Sequence, residues 1–283
     1  MIKQQFLWIA VQAILLVPIL GASQPDLLRN VINEGVSIRA IGMGNAYCAI
    51  AEEGLGFCYN PAGLARLGQG VQVQQDLVHN TLAVQSFYLS PFGVASVFKK
   101  DPKNDQDNHV EMTYCGVAKA SKIGIDWGVS YKTIQNTSGG ISVSGWSADA
   151  GVLCHISPSI QLGVVARDFC QKTVDISPSL AVGLAMFGSK GSWDISTDWI
   201  YQQEDQESPY RIVGHVGTEY CVAEGLTLRG GYFYNTLTVG ASAQILFLMV
   251  DYVSVFPQVN TAMGQERIQM IGFRLGGDRR PTR

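Results

Sequence analysis

The residues with the clearest chemical signal lie at positions 39–67, where the chain opens Arg-Ala-Ile-Gly-Met-Gly. A Gly-x-Gly pair can begin a loop that binds a nucleotide phosphate, but that loop needs a third glycine, placed between a strand and a helix. Tyr47 stands at the position of the third glycine, and the residues around 45–51 permit an additional strand. No alternation of strands and helices follows. We therefore exclude phosphate binding.

Other residues that could do chemistry are scattered along the chain. The six cysteines and four histidines have no metal-ligand spacing, and neither G-x-S-x-G nor H-E-x-x-H occurs. Asp194 and Asp198 lie four residues apart on one predicted strand, so roughly 13 Å separates them. That distance is too large for the carboxylates of a retaining glycosidase, and we expect each to pair with a basic residue such as Arg211 or Arg229. The sequence predicts no enzyme, no cofactor and no metal site.

Composition limits the class of protein. Of 283 residues, 47% are hydrophobic and only 15% are charged, which is too apolar for a disordered chain. The net charge of -3 gives no basic surface for nucleic acid. At the N-terminus, Lys3, an apolar run over 6–20 and the small residues 21–23 predict a cleavable signal peptide at 1–23, with a membrane-anchoring helix as the alternative. Ser23 is not the cysteine that lipid attachment needs. We expect an exported protein.

The rest of the chain alternates apolar and polar residues. Ile125, Trp127 and Val129 share one face, for example, and Asp126 and Ser130 share the other. Turn-like breaks separate these runs, short ones alternating with long ones. About fourteen strands of ~10 residues fit between positions 70 and 277. After residue 24 no apolar stretch is long enough for a membrane helix, so a membrane-embedded chain would have to form a barrel.

The two faces of the strands favour a transmembrane barrel over a secreted β-sandwich or β-helix. Large aromatics stand on the apolar face, often near strand ends, as interfacial girdles do; these are Trp127, Trp146, Trp193, Trp199, Tyr232 and Tyr234. The opposite face would line a polar lumen. We predict an all-β, transmembrane antiparallel β-barrel whose lumen is lined by Asp126, Lys132, Asp194, Asp198, Arg211, His215, Glu219, Arg229 and Asp251.

A short helix is predicted before the first strand. Asn60 can cap its N-terminus, Pro61 suits its first position, and Leu64 and Leu67 then share one face. Residues 24–69 are therefore predicted to form a plug inside or against the barrel. The candidate ligand-binding or hatch residues are Arg39, Gly42, Met43, Gly44, Asn60, Pro61 and Gly63.

These residues carry a resemblance to a known family. The order R-A-x-G-M-G-x-A, then A-E, then Y-N-P-A-G-L-A resembles the N-terminal signature of the PorV/PorQ family, within the FadL-like group of outer-membrane barrels. Asp194-x-Ser196-x-Asp198, Glu219-Tyr220, 226–232 and 248–252 resemble later motifs of the family, and Glu266-Arg267-Ile268 resembles the opening of its last strand. The match spans nearly the whole mature chain.

The resemblance implies three functions. FadL-like barrels pass hydrophobic small molecules through a lumen occluded by the N-terminal segment, which here is either a hatch or a fixed plug. PorV-like proteins dock exported proteins in type IX secretion, for which the loops 101–109 and 202–209 would serve. A purely structural outer-membrane protein is the third alternative. The partners implied are outer-membrane lipid and either hydrophobic small molecules or secreted proteins.

The chain departs from the family pattern at its end. The strand 267–275 holds one residue too many for the alternation, which predicts a bulge or register shift. A polar tail over 278–283 follows in place of a terminal aromatic.

Overall fold

The computed structural model describes residues 35–77, 82–101, 108–172, 176–203, 209–257 and 268–276. Fourteen antiparallel strands close into a barrel, in which each strand pairs with its sequence neighbours and β1 pairs with β14. The strands are β1 Gln69–Asp76, β2 Leu82–Leu89, β3 Phe92–Lys100, β4 His109–Lys119, β5 Ile125–Ser138, β6 Ile141–Ser157, β7 Ile160–Lys172, β8 Ser179–Phe187, β9 Trp193–Gln202, β10 Arg211–Ala223, β11 Leu226–Phe233, β12 Thr236–Ile245, β13 Leu248–Pro257 and β14 Ile268–Gly276. The predicted barrel and its strand number are confirmed.

Several predictions fall outside the described residues. These are the signal peptide at 1–23, the polar tail at 278–283, Glu266-Arg267, and most of the two loops considered for docking. Among the described residues, no helix is long and apolar enough to cross a membrane.

The barrel wall has an apolar outer face. In β5, Trp127, Val129 and Tyr131 point outward and are exposed, whereas Asp126 and Lys132 point into the lumen and are buried. An outward apolar band on a closed sheet is the arrangement that a bilayer requires, because closure leaves no edge with unpaired backbone groups in the lipid.

One predicted girdle residue lies elsewhere. Tyr234 follows the end of β11, and its ring stands 5.3 Å from that of His215 and 6.0 Å from the Arg211 guanidinium. It therefore contacts lumenal residues, and its assignment to the outer face was wrong. A residue in a tight turn is not bound by the alternation of the strand before it.

The two rims of the barrel differ in their connections. At one rim, which we call the short rim, β1 begins, β14 ends, and two-residue turns such as 90–91 and 224–225 join the strands. The opposite long rim carries the connections 101–108, 203–210 and 258–267, although 139–140 and 234–235 are tight turns there too. In bacterial barrels, the short turns face the periplasm and the long loops face the exterior.

The chain before β1, residues 35–68, lies inside the barrel, and we call it the N-terminal segment. It contains helix α1 (Ile38–Gly42) and two 3₁₀ helices (Gly56–Cys58 and Pro61–Ala65), and a third 3₁₀ helix (Ser189–Gly191) stands between β8 and β9. The Ser37 side chain caps α1 by accepting a hydrogen bond from the Ala40 amide. No strand forms over 45–51, where the chain makes buried turns. The strand-like composition there reflects burial alone.

The bulge expected near the end of the chain is absent from β14. This strand pairs without interruption with β13 and with β1. Met270 and Arg274 both face the lumen. Because the lumenal side of β14 carries an apolar and a charged residue, residue polarity alone does not reveal which residues of this strand face inward. Irregularities occur instead between β6 and β7 and between β10 and β11.

Candidate functional site: the N-terminal segment inside the barrel

The N-terminal segment crosses the lumen and contacts strands around the barrel wall. The wall residues that it contacts include Gly163, three residues into β7, and Gly217, six residues before the end of β10. Side chains of the segment such as Ala46, Leu55 and Phe57 have no exposed surface. The segment therefore fills the lumen at this level.

A belt of glycines in the wall makes room for the segment. On nine described strands an inward glycine is so close to the segment that an added Cβ would lie within 3 Å of it. Eight of the nine face each other across neighbouring strands, because β3 pairs with β4, β5 with β6, β7 with β8 and β10 with β11 at these positions. This glycine belt consists of Gly93, Gly116, Gly128, Gly151, Gly163, Gly183, Gly217, Gly231 and Gly272.

The first predicted hatch residues lie against this belt. An added Cβ at Gly217 would lie 2.0 Å from the carbonyl oxygen of Met43, and one at Gly231 would lie 2.0 Å from the amide nitrogen of Gly44. Gly42 ends α1, and its carbonyl accepts a hydrogen bond of 3.4 Å from the Thr238 hydroxyl. At Gly217 and Gly231 only backbone fits.

Asp198 holds the next part of the segment. Its Oδ2 accepts hydrogen bonds of 2.8 Å from the amides of both Tyr47 and Cys48. Bonds from amides to a buried carboxylate are charge-assisted and stronger than neutral ones. The pairing predicted for Asp198 with Arg211 or Arg229 is therefore wrong, because the N-terminal segment supplies its partners. A strand pattern cannot reveal a partner that lies in an irregular segment.

A chain of charged side chains ties the start of the segment to β10–β14. Arg39 donates to both carboxylate oxygens of Glu219, at 2.9 and 3.1 Å, and its Nη2 stands 3.9 Å from Asp194. The network then runs through further wall residues and returns to the segment, with N–O distances of 2.5 to 3.7 Å, along Glu219, Arg229, Asp251, Arg274 and Glu53.

Glu53 closes this network inside the segment. It also accepts a hydrogen bond from the Ser37 hydroxyl. Burial raises the pKa of the Glu53 carboxyl above its ordinary value, and the charges of Arg274 and Arg39 oppose that rise.

Asn60, Pro61 and Gly63 anchor the end of the segment. The Asn60 Oδ1 caps the 3₁₀ helix by accepting from the Ala62 amide, and its Nδ2 donates to Val152 O of β6 at 3.1 Å. Pro61 packs against Gly128, and Gly63 packs against the Ala51 carbonyl. The predicted cap thus also joins the segment to the wall.

Two further wall residues of the predicted set face the lumen away from this network. Asp126 pairs with Arg66 near the short rim and with His155 Nε2 at 2.9 Å. Arg211 begins β10 at the long rim, beside Tyr234.

Lys132 belongs to a cluster that the sequence analysis missed. Its Nζ lies 3.2 Å from Asp149 and 2.8 Å from Asp168, and all three side chains are buried on the lumenal face. Asp168 lies in the irregular part of β7, where its φ of 55° breaks the alternation. The position of that irregularity is not readable from the sequence.

The lumen also holds buried apolar side chains, so the prediction of a polar lumen is wrong in part. They lie on both sides of β1, whose inward residues Gln72, Gln74 and Asp76 are polar. Buried inward residues of seven described strands form one hydrophobic cluster with residues of the N-terminal segment. We call nine of these wall residues, on β2–β4, β13 and β14, the apolar sector: Leu82, Val84, Ala95, Val97, Val110, Met112, Val253, Val255 and Met270. The sequence signal was present, because β2–β4 carry apolar residues on both faces.

Among the described residues, no group of His, Cys, Asp and Glu side chains is arranged to hold a metal ion. The wall offers the N-terminal segment three kinds of contact: glycine backbone, a buried charge network and apolar side chains.

The similarity of this chain to known proteins is one of fold. No protein-family model matches the chain, and no curated protein matches it. Among solved structures, it is similar to the Ralstonia pickettii toluene transporter TbuX (TM-score 0.61, 13% identity, covering 86% of this chain and 98% of that chain). It is also similar to the Pseudomonas putida toluene transporter TodX (0.56, 13%, 83% and 95%) and to the CymD monoaromatic hydrocarbon channel (0.55, 12%, 86% and 98%). At such identities the likeness is one of fold alone, which here is the closed fourteen-strand barrel.

Proposed function

We propose that this protein is an outer-membrane channel for hydrophobic small molecules, with the N-terminal segment as its hatch. The observation that carries the proposal is the apolar sector, which forms one cluster with the segment residues Val36, Ile38 and Ile41. The fold shared with hydrocarbon channels supports it. Export by a cleavable signal peptide and contact with outer-membrane lipid are parts of the same proposal.

The apolar sector gives a hydrophobic molecule a reason to displace the segment. When the segment withdraws, the cluster that the apolar sector forms with it loses the apolar side chains of the segment. Burying the surface that this exposes is favourable by about 25 cal/mol per Å². A hydrophobic solute can supply these contacts, whereas a sugar cannot. A ligand that binds the displaced state better shifts the population toward it.

A disulfide lock tests the hatch directly. A Cβ on Gly42 would lie 3.6 Å from Gly240 Cα, and a Cβ on Gly240 would lie 3.4 Å from Gly42 Cα. The two positions are therefore adjacent, and we expect a cysteine introduced at each to cross-link on oxidation. The pair Gly42→Cys and Gly240→Cys is built in a background without the six native cysteines and placed in proteoliposomes. Uptake of toluene should stop on oxidation and return on reduction. Equal uptake in both states would show that the segment is a fixed plug.

A matched pair of substitutions tests the route. Val97 belongs to the apolar sector, and Val94, three residues earlier on β3, faces outward. Val97→Thr adds a hydroxyl to the sector and should slow toluene uptake severalfold, whereas Val94→Thr should leave uptake unchanged. Equal effects would place the route elsewhere.

Membership of the PorV/PorQ family, and with it docking of exported proteins, stands as the second candidate. Its support is the sequence resemblance in two parts of the chain, 39–65 and 194–268. Purification from native outer membranes in mild detergent separates the two: a stoichiometric protein partner supports docking, and a co-extracted apolar molecule without a partner supports passage.

A further inference from the structure

The connection between β12 and β13 makes one place on the short rim apolar. It consists of Leu246 and Phe247, whose side chains are 83% and 77% exposed. Ile245 before it and Leu248 after it are apolar as well. The other two-residue connections described at this rim contain serine, proline, glutamate and glycine instead; they are 90–91, 158–159 and 224–225. A run of exposed apolar residues is unfavourable in water, so it marks a surface that another apolar substance covers.

The strand ends beside this turn continue the apolar surface. Ile245 pairs with Leu248, which pairs on its other side with Leu275. Leu275 pairs in turn with Val71 of β1. Paired residues of antiparallel strands lie on the same face of the sheet, and Ile245, Leu275 and Val71 are exposed on the outer face. A row of four aliphatic side chains thus runs along the outside of the barrel at the short-rim ends of β12, β13, β14 and β1.

Elsewhere near this rim the outer face carries residues that are typical of a membrane interface. Lys119 of β4 pairs with Trp127 of β5, and Trp193 of β9 pairs with Tyr220 of β10. Aromatic girdles mark the level of the lipid headgroups, where the ammonium group of a lysine can reach water. The short-rim ends of β12, β13, β14 and β1, as the structure describes them, carry neither Trp, Tyr nor Lys at their outward positions. The apolar band therefore continues there into the turn.

Strand length explains why the band reaches the turn. β11 has 8 residues and β12 has 10, and tight turns bound both strands at each end. β5 and β6 have 14 and 17 residues. A tilted strand needs about 9–11 residues to cross the hydrocarbon of a bilayer. β11 and β12 are therefore only just long enough, and the hydrocarbon extends to their ends, whereas β5 and β6 reach beyond it.

We propose that lipid acyl chains of the leaflet at the short rim cover Leu246 and Phe247, so that the barrel sits deeper in the membrane at β11–β14 than at β5 and β6. The occupant is lipid because the turn is continuous with the outer face of a closed barrel, which faces the bilayer. Tilting and local thinning of the bilayer are the ways in which membranes accommodate a short apolar span. The proposal concerns the outside of the barrel, so it does not depend on the proposed channel.

The depth of a nitroxide spin label in the bilayer tests the proposal. Leu246→Cys and Phe247→Cys are made separately in a full-length protein without the six native cysteines, labelled, and placed in vesicles of phosphatidylethanolamine and phosphatidylglycerol. Oxygen concentrates in the hydrocarbon, whereas a neutral nickel chelate stays in water. The ratio of their collision rates with the label therefore distinguishes lipid from water.

Two labelled positions in the same background provide the references. Val239 faces outward within β12, so Val239→Cys gives the value for lipid. Ser159→Cys gives the value for water, because Ser159 is exposed in the connection between β6 and β7, on nearly the opposite side of the barrel. This connection also lies well beyond Val152, the partner of the girdle residue Trp127.

We expect the labels at 246 and 247 to give an oxygen-to-nickel ratio at least fivefold above that at 159 and within twofold of that at 239. A ratio equal to that at 159 would show that water covers the turn. Low accessibility to both reagents would show that protein covers it, from this chain, a second copy or a partner. Either result would overturn the proposal. No transport is measured, so a failure here is separate from a failure of the proposed channel.

Discussion

The glycine belt makes a sharp prediction at β11. Gly231 faces the lumen, and a Cβ added there would stand 2.0 Å from the Gly44 nitrogen and 2.3 Å from the Met43 carbonyl carbon. Its neighbour Gly230 faces outward, and a Cβ there would meet only the Thr238 carbonyl oxygen, at 4.0 Å. Gly231→Ala and Gly230→Ala thus make the same chemical change on the same strand. Only the first should disturb the N-terminal segment.

The size of the effect follows from the distances. Carbon atoms in contact stand about 3.5–4.0 Å apart, so the backbone of the segment must move by roughly 1.5 Å. A shift of this size would stretch the bonds from Tyr47 and Cys48 to Asp198, now 2.8 Å long, beyond hydrogen-bonding distance. Overpacking of a core costs about 1–3 kcal/mol. The displaced state should therefore become about 5- to 150-fold more populated, since each 1.4 kcal/mol is worth about tenfold.

Cys48 provides the assay, because it lies in the segment and is fully buried. In a protein whose other cysteines are replaced by serine, its rate of maleimide labelling reports how often the segment leaves the belt. Gly231→Ala should raise this rate at least fivefold, and Gly230→Ala should leave it within twofold. An unchanged rate in Gly231→Ala, or an equal rise in both variants, would refute the reasoning from close contact.

Two further outcomes are expected from the contacts of the segment, and a third from the closed barrel. Asp198→Asn should raise Cys48 labelling at least tenfold, because hydrogen bonds to a charged group are worth about 1.5–3 kcal/mol; a rate equal to that of the unaltered protein would contradict the role of the carboxylate. Burial raises the pKa of Glu53, so the docked segment binds this proton more tightly than the released segment. Docking should be strongest below the ordinary glutamate pKa and weaken as pH rises through the raised one. Glu53→Gln should remove that trend when labelling rates are compared with the unaltered protein at pH 5 and pH 8. The folded barrel should migrate anomalously in SDS gels until boiled, and identical mobility before and after boiling would count against a closed barrel.

The barrel itself was predictable from the sequence. Alternation along strands such as β5 and β9 follows from a wall with lipid on one side and the lumen on the other. The cap formed by Asn60 and Pro61 was also readable, because capping depends on residues close in sequence.

Contacts between distant residues were not readable in the same way. Nothing near Asp198 in the sequence indicates that the amides of Tyr47 and Cys48 are its partners, since 150 or more residues separate them. The cluster of Lys132, Asp149 and Asp168 depends on an irregular stretch in β7, whose position alternation cannot supply. Local patterns determine elements, but they do not determine what those elements meet.

The abundance of glycine was visible from the start, at 31 residues, yet its meaning required the barrel. Glycine within a strand costs about 0.5–1 kcal/mol relative to alanine, so a belt of nine inward glycines weakens the wall unless other contacts offset the loss. The N-terminal segment makes those contacts, since its backbone occupies the space where side chains would stand. The segment is therefore part of the packed structure, unlike a lid that rests on it. Its release leaves both the belt and the apolar sector unfilled, so opening should stay rare until a hydrophobic molecule takes over contacts with the wall.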